Sequence, residues 1–197
     1  MKQNNKFKRI GKTTPGYLLI QSMTLVRIPL SIIFAIVLLY TKNPRSNLIW
    51  SVILLLIIET TDAFDGKIAR RYRLVSESGA ILDPYSDSIA RLIIYWSLAS
   101  KNLVIFLVPL CMALRDVTVA YSRIILARNN KTVSARISGK IKASVQAVGS
   151  FLALFGPYYW NSVGYWSFYT LSWIILSVTL LSAIEYVKDA YLATRKN

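Results

Sequence analysis

The sequence predicts an all-α, polytopic membrane protein with six transmembrane helices and both termini on the cytoplasmic side. Three observations lead there. The 197 residues are 54% hydrophobic with a mean hydropathy of +0.44. The apolar residues arrive in long runs, the pattern of a chain that crosses a bilayer repeatedly. The formal charge of +15 gathers in the segments between and beside those runs, chiefly on one side. That is the positive-inside pattern of a membrane protein, so nucleic acid is not an expected partner and anionic lipid is.

Residues 1–15 carry Lys2, Lys6, Lys8, Arg9 and Lys12 ahead of Pro15 and read as a basic cytoplasmic tail or interfacial helix. The six-helix domain is expected over residues 16–190, with a short tail from 191 to 197. The first span runs from about Tyr17 to Tyr40, with Arg27 just inside the membrane boundary. A loop at 41–46 with Pro44 leads to a second span from about Asn47 to Ile58, which continues polar through Thr60, Asp62 and Asp65. Lys67, Arg70, Arg71 and Arg73 follow and mark that end as cytoplasmic. The third span covers about Ile81 to Leu98, capped by Ser76 or Asp83. Lys101 and Asn102 make an outer turn, and the fourth span runs from about Leu103 to Leu126. A basic loop with Arg128, Lys131, Arg136, Lys140 and Lys142 precedes a fifth span at about Ala143 to Phe155. Residues 157–166, PYYWNSVGYW, read as an aromatic interfacial belt, and the last span covers about Ser167 to Val187.

The composition also limits the chemistry. There is no histidine, so acid–base work falls to carboxylates. The single cysteine, Cys111, lies in an apolar run and reads as a packed thiol; no disulfide framework exists.

Four aspartates fall between positions 62 and 87, in a stretch that holds five of the nine acidic residues. Asp62 and Asp65 stand at i, i+3, and Asp83 and Asp87 at i, i+4, the spacings that bring side chains onto one helix face. Carboxylates so crowded near a membrane stay ionised only if something neutralises them. Oxygen-only ligands suit Mg²⁺, Mn²⁺ or Ca²⁺, and four acids suffice for a metal pair. Between the pairs, Gly66 and Gly79 let the backbone approach a pyrophosphate closely, and Arg70 can grip a phosphate oxygen. The plainer roles are local. Asp83 before Pro84 can open a helix, Asp62 can cap or pair with Lys67 or Arg70, and Glu59 is structural. Arg91, one turn after Asp87, can reach the site or pair with an acid.

The stretch reads D-x2-D-G-x2-A-R-x8-G-x3-D-x3-D, filled by Asp62, Asp65, Gly66, Ala69, Arg70, Gly79, Asp83 and Asp87. It resembles the signature of the CDP-alcohol phosphatidyltransferases, membrane enzymes that displace CMP from a CDP-activated lipid or alcohol. The resemblance implies two divalent metal ions, Mg²⁺ or Mn²⁺, on Asp62, Asp65, Asp83 and Asp87. Asp87 is then also the general base, and Gly66, Arg70 and Gly79 hold the cytidine diphosphate. Thr24 and Arg27 resemble the T-x-x-R that opens the first helix of the phosphatidylglycerophosphate synthase branch, which adds Thr24 to the nucleotide contacts; Gln21 stands where that branch often has Asn. A snorkelling arginine explains Arg27 as well.

Two further stretches resemble the same branch: Arg115-Asp116 with Arg123, and Gly139-Lys140-Ile141-Lys142 with Gln146 beyond. They make Arg115, Arg123, Lys140 and Lys142 the candidates for an acceptor phosphate, although Lys140 and Lys142 also suit a positive-inside loop. Arg115 needs compensation inside the apolar run, and Asp116, its sequence neighbour, is expected to point to a different side of the helix. Ser86 and Ser88 flank Asp87 where the branch commonly has Ala and Lys. The implied reaction moves a phosphatidyl group from CDP-diacylglycerol to glycerol 3-phosphate in the bacterial cytoplasmic membrane, by a homodimer. The rivals are the same chemistry on serine, inositol phosphate or another alcohol, a silent homologue, and a cation transporter using the acidic cluster.

Overall fold

The computed structural model describes the backbone of residues 15–72, 77–128, 137–163 and 166–195. Side chains are described over the same ranges except at 15–24, 62–72, 77–81, 83, 159–163 and 193. Among the described residues there are six α-helices and no strand: α1 Pro15–Tyr40, α2 Pro44–Tyr72, α3 Glu77–Ser100, α4 Leu107–Arg128, α5 Ile137–Val163 and α6 Trp166–Thr194.

Local chemistry sets several boundaries. Asn43 accepts hydrogen bonds at its Oδ1 from the backbone N–H of Arg45 (3.0 Å) and Ser46 (3.3 Å), and Pro44 follows at the first helical position. This is an N-cap with proline at N1, so α2 starts earlier than the expected Asn47 and the loop shrinks to 41–43. Asn47 Nδ2 then donates to the carbonyls of Val37, Leu38 and Thr41 at 2.9–3.2 Å, satisfying the open end of α1.

At the end of α3, Asn102 takes a left-handed φ of 56°. Leu103 N–H bonds to the Leu98 carbonyl (2.9 Å) and Asn102 N–H to that of Ala99 (2.9 Å). That is a Schellman stop, with Leu98 and Leu103 both in the core. The expected outer turn at Lys101 and Asn102 therefore lengthens to 101–106. Pro109 falls in the first turn of α4, where its missing N–H would be unsatisfied anyway.

Two expectations are corrected. Asp83 is not a cap, because α3 begins at Glu77 and carries Pro84 in its interior; Ser76 lies outside the described residues. The fifth helix also runs past the expected Phe155. α5 continues through Pro157 to Val163, since a proline there costs one backbone hydrogen bond and neighbouring groups can make that good in an apolar setting.

Helix α1 lies against α2 and α3, and α6 lies against α4 and α5. The two groups join where α3 meets α4 and α5, and where α2 meets α5. The apolar core runs through both, with Phe34, Leu55, Leu98, Val108, Met112 and Ile175 almost fully buried. Cys111 is a free, buried member of it, as its apolar run suggested.

The rest of the burial pattern runs opposite to that of a water-soluble bundle. Ser31, Ser51, Ser97, Gln146, Ser172 and Thr179 are interior, together with Arg27, Arg91, Arg115 and Lys142. Ile36, Trp50, Leu114, Leu152, Leu181 and Ile184 face outward. Among the described residues one helical segment, Trp166–Leu192, is long and apolar enough by itself to cross a membrane, and Leu25–Tyr40 is a shorter apolar one.

Candidate active site

The acidic motif occupies two consecutive helices. Asp62, Asp65, Gly66, Ala69 and Arg70 fall in the last third of α2; Gly79, Asp83 and Asp87 fall in the first half of α3. Only residues 73–76 separate the helices, so both parts of the motif sit at the same end of the chain's excursion. The expected spacings hold on the backbone, with each aspartate pair one helical turn apart. The side chains of Thr24, Asp62, Asp65, Arg70 and Asp83, and the surroundings of Gly66 and Gly79, lie outside the described residues.

Asp87 is described. It is about one-third exposed and accepts a 2.8 Å hydrogen bond from Arg27 Nη1, whose side chain is 2% exposed. Arg27 therefore does not snorkel to the membrane edge. It turns inward from α1 and holds the last aspartate of the motif. Its signal in the sequence is an arginine inside an apolar run, which needs a partner there.

One turn inboard of the motif, Arg91 grips Glu59 with both guanidinium nitrogens, at 3.1 and 3.2 Å. This fork joins α3 to α2 and is the bidentate geometry that arginine favours. It gives Glu59 the structural role expected of it and Arg91 its acid. By helix register, Asp62 follows Glu59 by one turn and Asp87 precedes Arg91 by one turn. The Glu59–Arg91 tie therefore fixes the register of both acidic pairs.

The second group of candidates lies among α4, α5 and α6. Arg115 is buried, and contrary to expectation its Nη1 reaches back to Asp116 Oδ1 at 2.8 Å. The long arginine side chain curls around the helix, so neighbouring positions on the backbone do not keep their charges apart. Lys142 Nζ donates to the same Asp116 oxygen at 3.1 Å. Arg115 Nε donates to Ser182 Oγ at 3.0 Å. The guanidinium carbons of Arg115 and Arg123 lie 5.9 and 5.4 Å from the centre of the Tyr186 ring. Three of the four predicted acceptor cations thus converge, while Lys140 faces outward and makes no ion pair among the described residues. Arg123 Nε is buried without a hydrogen-bond partner there. Tyr186 escaped the sequence reading because nothing distinguishes it from the other aromatics of an apolar helix.

Carboxylate oxygens suit hard divalent cations, and of the four aspartates Asp87 is the one whose side chain is described; its carboxylate is partly open, as a metal ligand requires. The family model for CDP-alcohol phosphatidyltransferase matches residues 18–184. The chain belongs to this family.

Membership favours phosphatidyl transfer over cation transport. The chain is 32% identical over 139 residues to a CDP-diacylglycerol–glycerol-3-phosphate 3-phosphatidyltransferase of Bacillus subtilis, covering 68% of this chain and 69% of the relative. It is 26% identical over 185 residues to the protein of the same name in Rickettsia prowazekii, covering 91% and 96% of the two chains. A probable phosphatidylglycerophosphate synthase of Mycobacterium tuberculosis is 29% identical over 174 residues, covering 85% and 79%.

Proposed function

We propose that the chain transfers a phosphatidyl group from CDP-diacylglycerol to sn-glycerol 3-phosphate, at the cytoplasmic face of a membrane that all six helices cross. The observation that carries the acceptor is the convergence of Arg115, Arg123 and Lys142, three cations with Asp116 the one carboxylate paired to them among the described residues. A phosphate monoester supplies the missing negative charge, and serine or free glycerol does not. The named relatives act on glycerol 3-phosphate, which favours the same acceptor here.

The chemistry assigned to the chain's residues is short. Gly66, Arg70, Gly79 and Thr24 hold the cytidine diphosphate. Asp87, kept in place by Arg27, takes the proton from the acceptor hydroxyl. That oxygen attacks the β-phosphorus, the bond from the β-phosphorus to the bridging oxygen breaks, and CMP departs with the electron pair. Arg115, Arg123 and Lys142 orient the acceptor's phosphate, with Lys140 at the entrance. Asp62, Asp65, Asp83 and Asp87 are the residues to hold two Mg²⁺ or Mn²⁺ ions, which supply charge neutralisation for phosphoryl displacement.

The outward-facing Leu, Ile and Trp side chains on the helices support immersion in lipid, because water would leave that surface costly. The basic segments support the cytoplasmic placement of both termini. The deciding experiment measures CMP release from CDP-diacylglycerol by the purified protein, with glycerol 3-phosphate, serine, glycerol and inositol phosphate offered in turn. Release dependent on glycerol 3-phosphate alone is expected. Equal release with serine or glycerol would refute the anionic acceptor and leave the reaction class.

A further inference from the structure

Helix α6 has no part in the acidic motif, yet it supports the cations of the second group. Tyr186 is 1% exposed and lies where three helices meet. The Arg115 and Arg123 guanidinium groups from α4 lie 5.9 and 5.4 Å from its ring centre. Its hydroxyl is 3.9 Å from where a side chain on Gly139, at the start of α5, would begin. One turn earlier, Ser182 accepts the Arg115 Nε hydrogen bond at 3.0 Å. Beside it, Glu185 accepts a 2.6 Å hydrogen bond from Ser138 Oγ, tying α6 to the same first turn of α5.

Two guanidinium groups repel each other. An aromatic ring carries negative charge density on its face and attracts a cation within about 6 Å, most strongly where water is excluded. Tyr186 meets both conditions for two arginines at once. It places them near each other without a carboxylate that would use up their charge. Asp116 already engages one nitrogen of Arg115 and the amine of Lys142, so a second acid in place of Tyr186 would neutralise the group. An aromatic ring holds the arginines and leaves their charge available to a substrate anion.

We propose that Tyr186 is a positioning residue that sets acceptor specificity, its ring holding Arg115 and Arg123 in place to receive the phosphate of the acceptor. The inference rests on the reading of these arginines as acceptor ligands. It adds that selectivity for a phosphorylated alcohol depends on an uncharged side chain in the last helix.

The test uses the full-length protein in mixed micelles, with KM determined separately for glycerol 3-phosphate and CDP-diacylglycerol. Tyr186→Leu should raise KM for glycerol 3-phosphate about tenfold, the scale of one desolvated cation–π contact. The kcat and the KM for CDP-diacylglycerol should stay within about twofold, as expected when binding of one substrate alone is lost. Tyr186→Phe keeps the ring and should stay within about threefold of the wild type. In an Arg123→Ala background, Tyr186→Leu should add much less than it does alone, because it acts through that arginine.

Fluorinated phenylalanines at position 186 give a second measurement that preserves shape. KM for glycerol 3-phosphate should climb with each added fluorine as the ring face loses charge density. A flat fluorine series would overturn the proposal. So would Tyr186→Phe as defective as Tyr186→Leu, or an undiminished Tyr186→Leu effect without Arg123. If Arg123→Ala itself leaves the KM for glycerol 3-phosphate unchanged, the acceptor reading falls and the proposal with it. If Arg123→Ala raises that KM and Tyr186→Leu does not, the role of Tyr186 alone is refuted.

Discussion

The two charged regions of this protein are built on opposite principles. The acidic motif of α2 and α3 is assembled from neighbours in sequence, with each aspartate pair one turn apart on its own helix. The cationic group of α4, α5 and α6 is assembled from positions as distant as Arg115 and Ser182. The same contrast appears in how each region treats a carboxylate. Asp87 is partly open and held by one buried arginine. Asp116 is more enclosed and shared by an arginine and a lysine. An acid at the edge of its ion pair can still do chemistry, whereas an acid wholly occupied by two cations serves the fold.

The largest effect that could break this comparison is metal removal. Under the proposed function, chelation should abolish CMP release, and added Mg²⁺ or Mn²⁺ should restore it, while the cationic region stays folded by thermal unfolding in detergent. Full activity after exhaustive chelation would place the acidic pairs outside the chemistry.

Substituting one aspartate from each region comes next. Asp87→Asn should lower turnover roughly 10²–10⁴-fold, the usual contribution of a general base. The amide oxygen still accepts from Arg27, so the unfolding midpoint should barely move. Normal turnover in this variant would remove Asp87 as the base. Asp116→Ala should behave in reverse, because it leaves buried Arg115 and Lys142 without their shared counter-charge. Breaking a buried pair costs about 3–5 kcal/mol, so the unfolding midpoint should fall sharply. A midpoint equal to the wild type would show that the two cations find water.

A smaller effect sharpens the packing side of the contrast. A Cβ on Gly149 would lie 2.7 Å from Ile175 Cδ1 and 2.9 Å from the Tyr95 hydroxyl. Tyr95 donates to the Gln146 carbonyl at 2.7 Å, and Gln146 Nε2 donates to Thr179 Oγ1 at 3.0 Å. The close approach of α3, α5 and α6 thus depends on a missing side chain. Gly149→Ala should cost about 1–3 kcal/mol through overpacking, read as a lower unfolding midpoint. An unchanged midpoint would mean that Ile175 and Tyr95 shift aside freely.

The smallest effect separates the two lysines of α5. Lys140 is exposed and Lys142 is buried on Asp116. Lys140→Ala should raise KM for glycerol 3-phosphate only a few-fold, as a solvent-exposed charge contributes about 0.2–1 kcal/mol. A tenfold rise would give it a direct place on the phosphate.

By itself the sequence determined the helical architecture, the order of the six elements and the acidic motif. All three depend on spacing along one chain: apolar runs long enough for helices, and aspartates set one turn apart. It located the cations of α4 and α5 as well, because arginines inside an apolar run stand out. Only the tertiary structure decided what those charges touch. Arg27 turning inward to Asp87, Arg115 curling back to Asp116, and Tyr186 lying beside two arginines all depend on side-chain reach between helices. A long flexible side chain can satisfy its charge in several directions, and the packed neighbours select one. The helix limits at Pro109 and Pro157 were decided in the same way. A proline stops a helix, opens it or is absorbed within it according to where its missing hydrogen bond falls and what surrounds it.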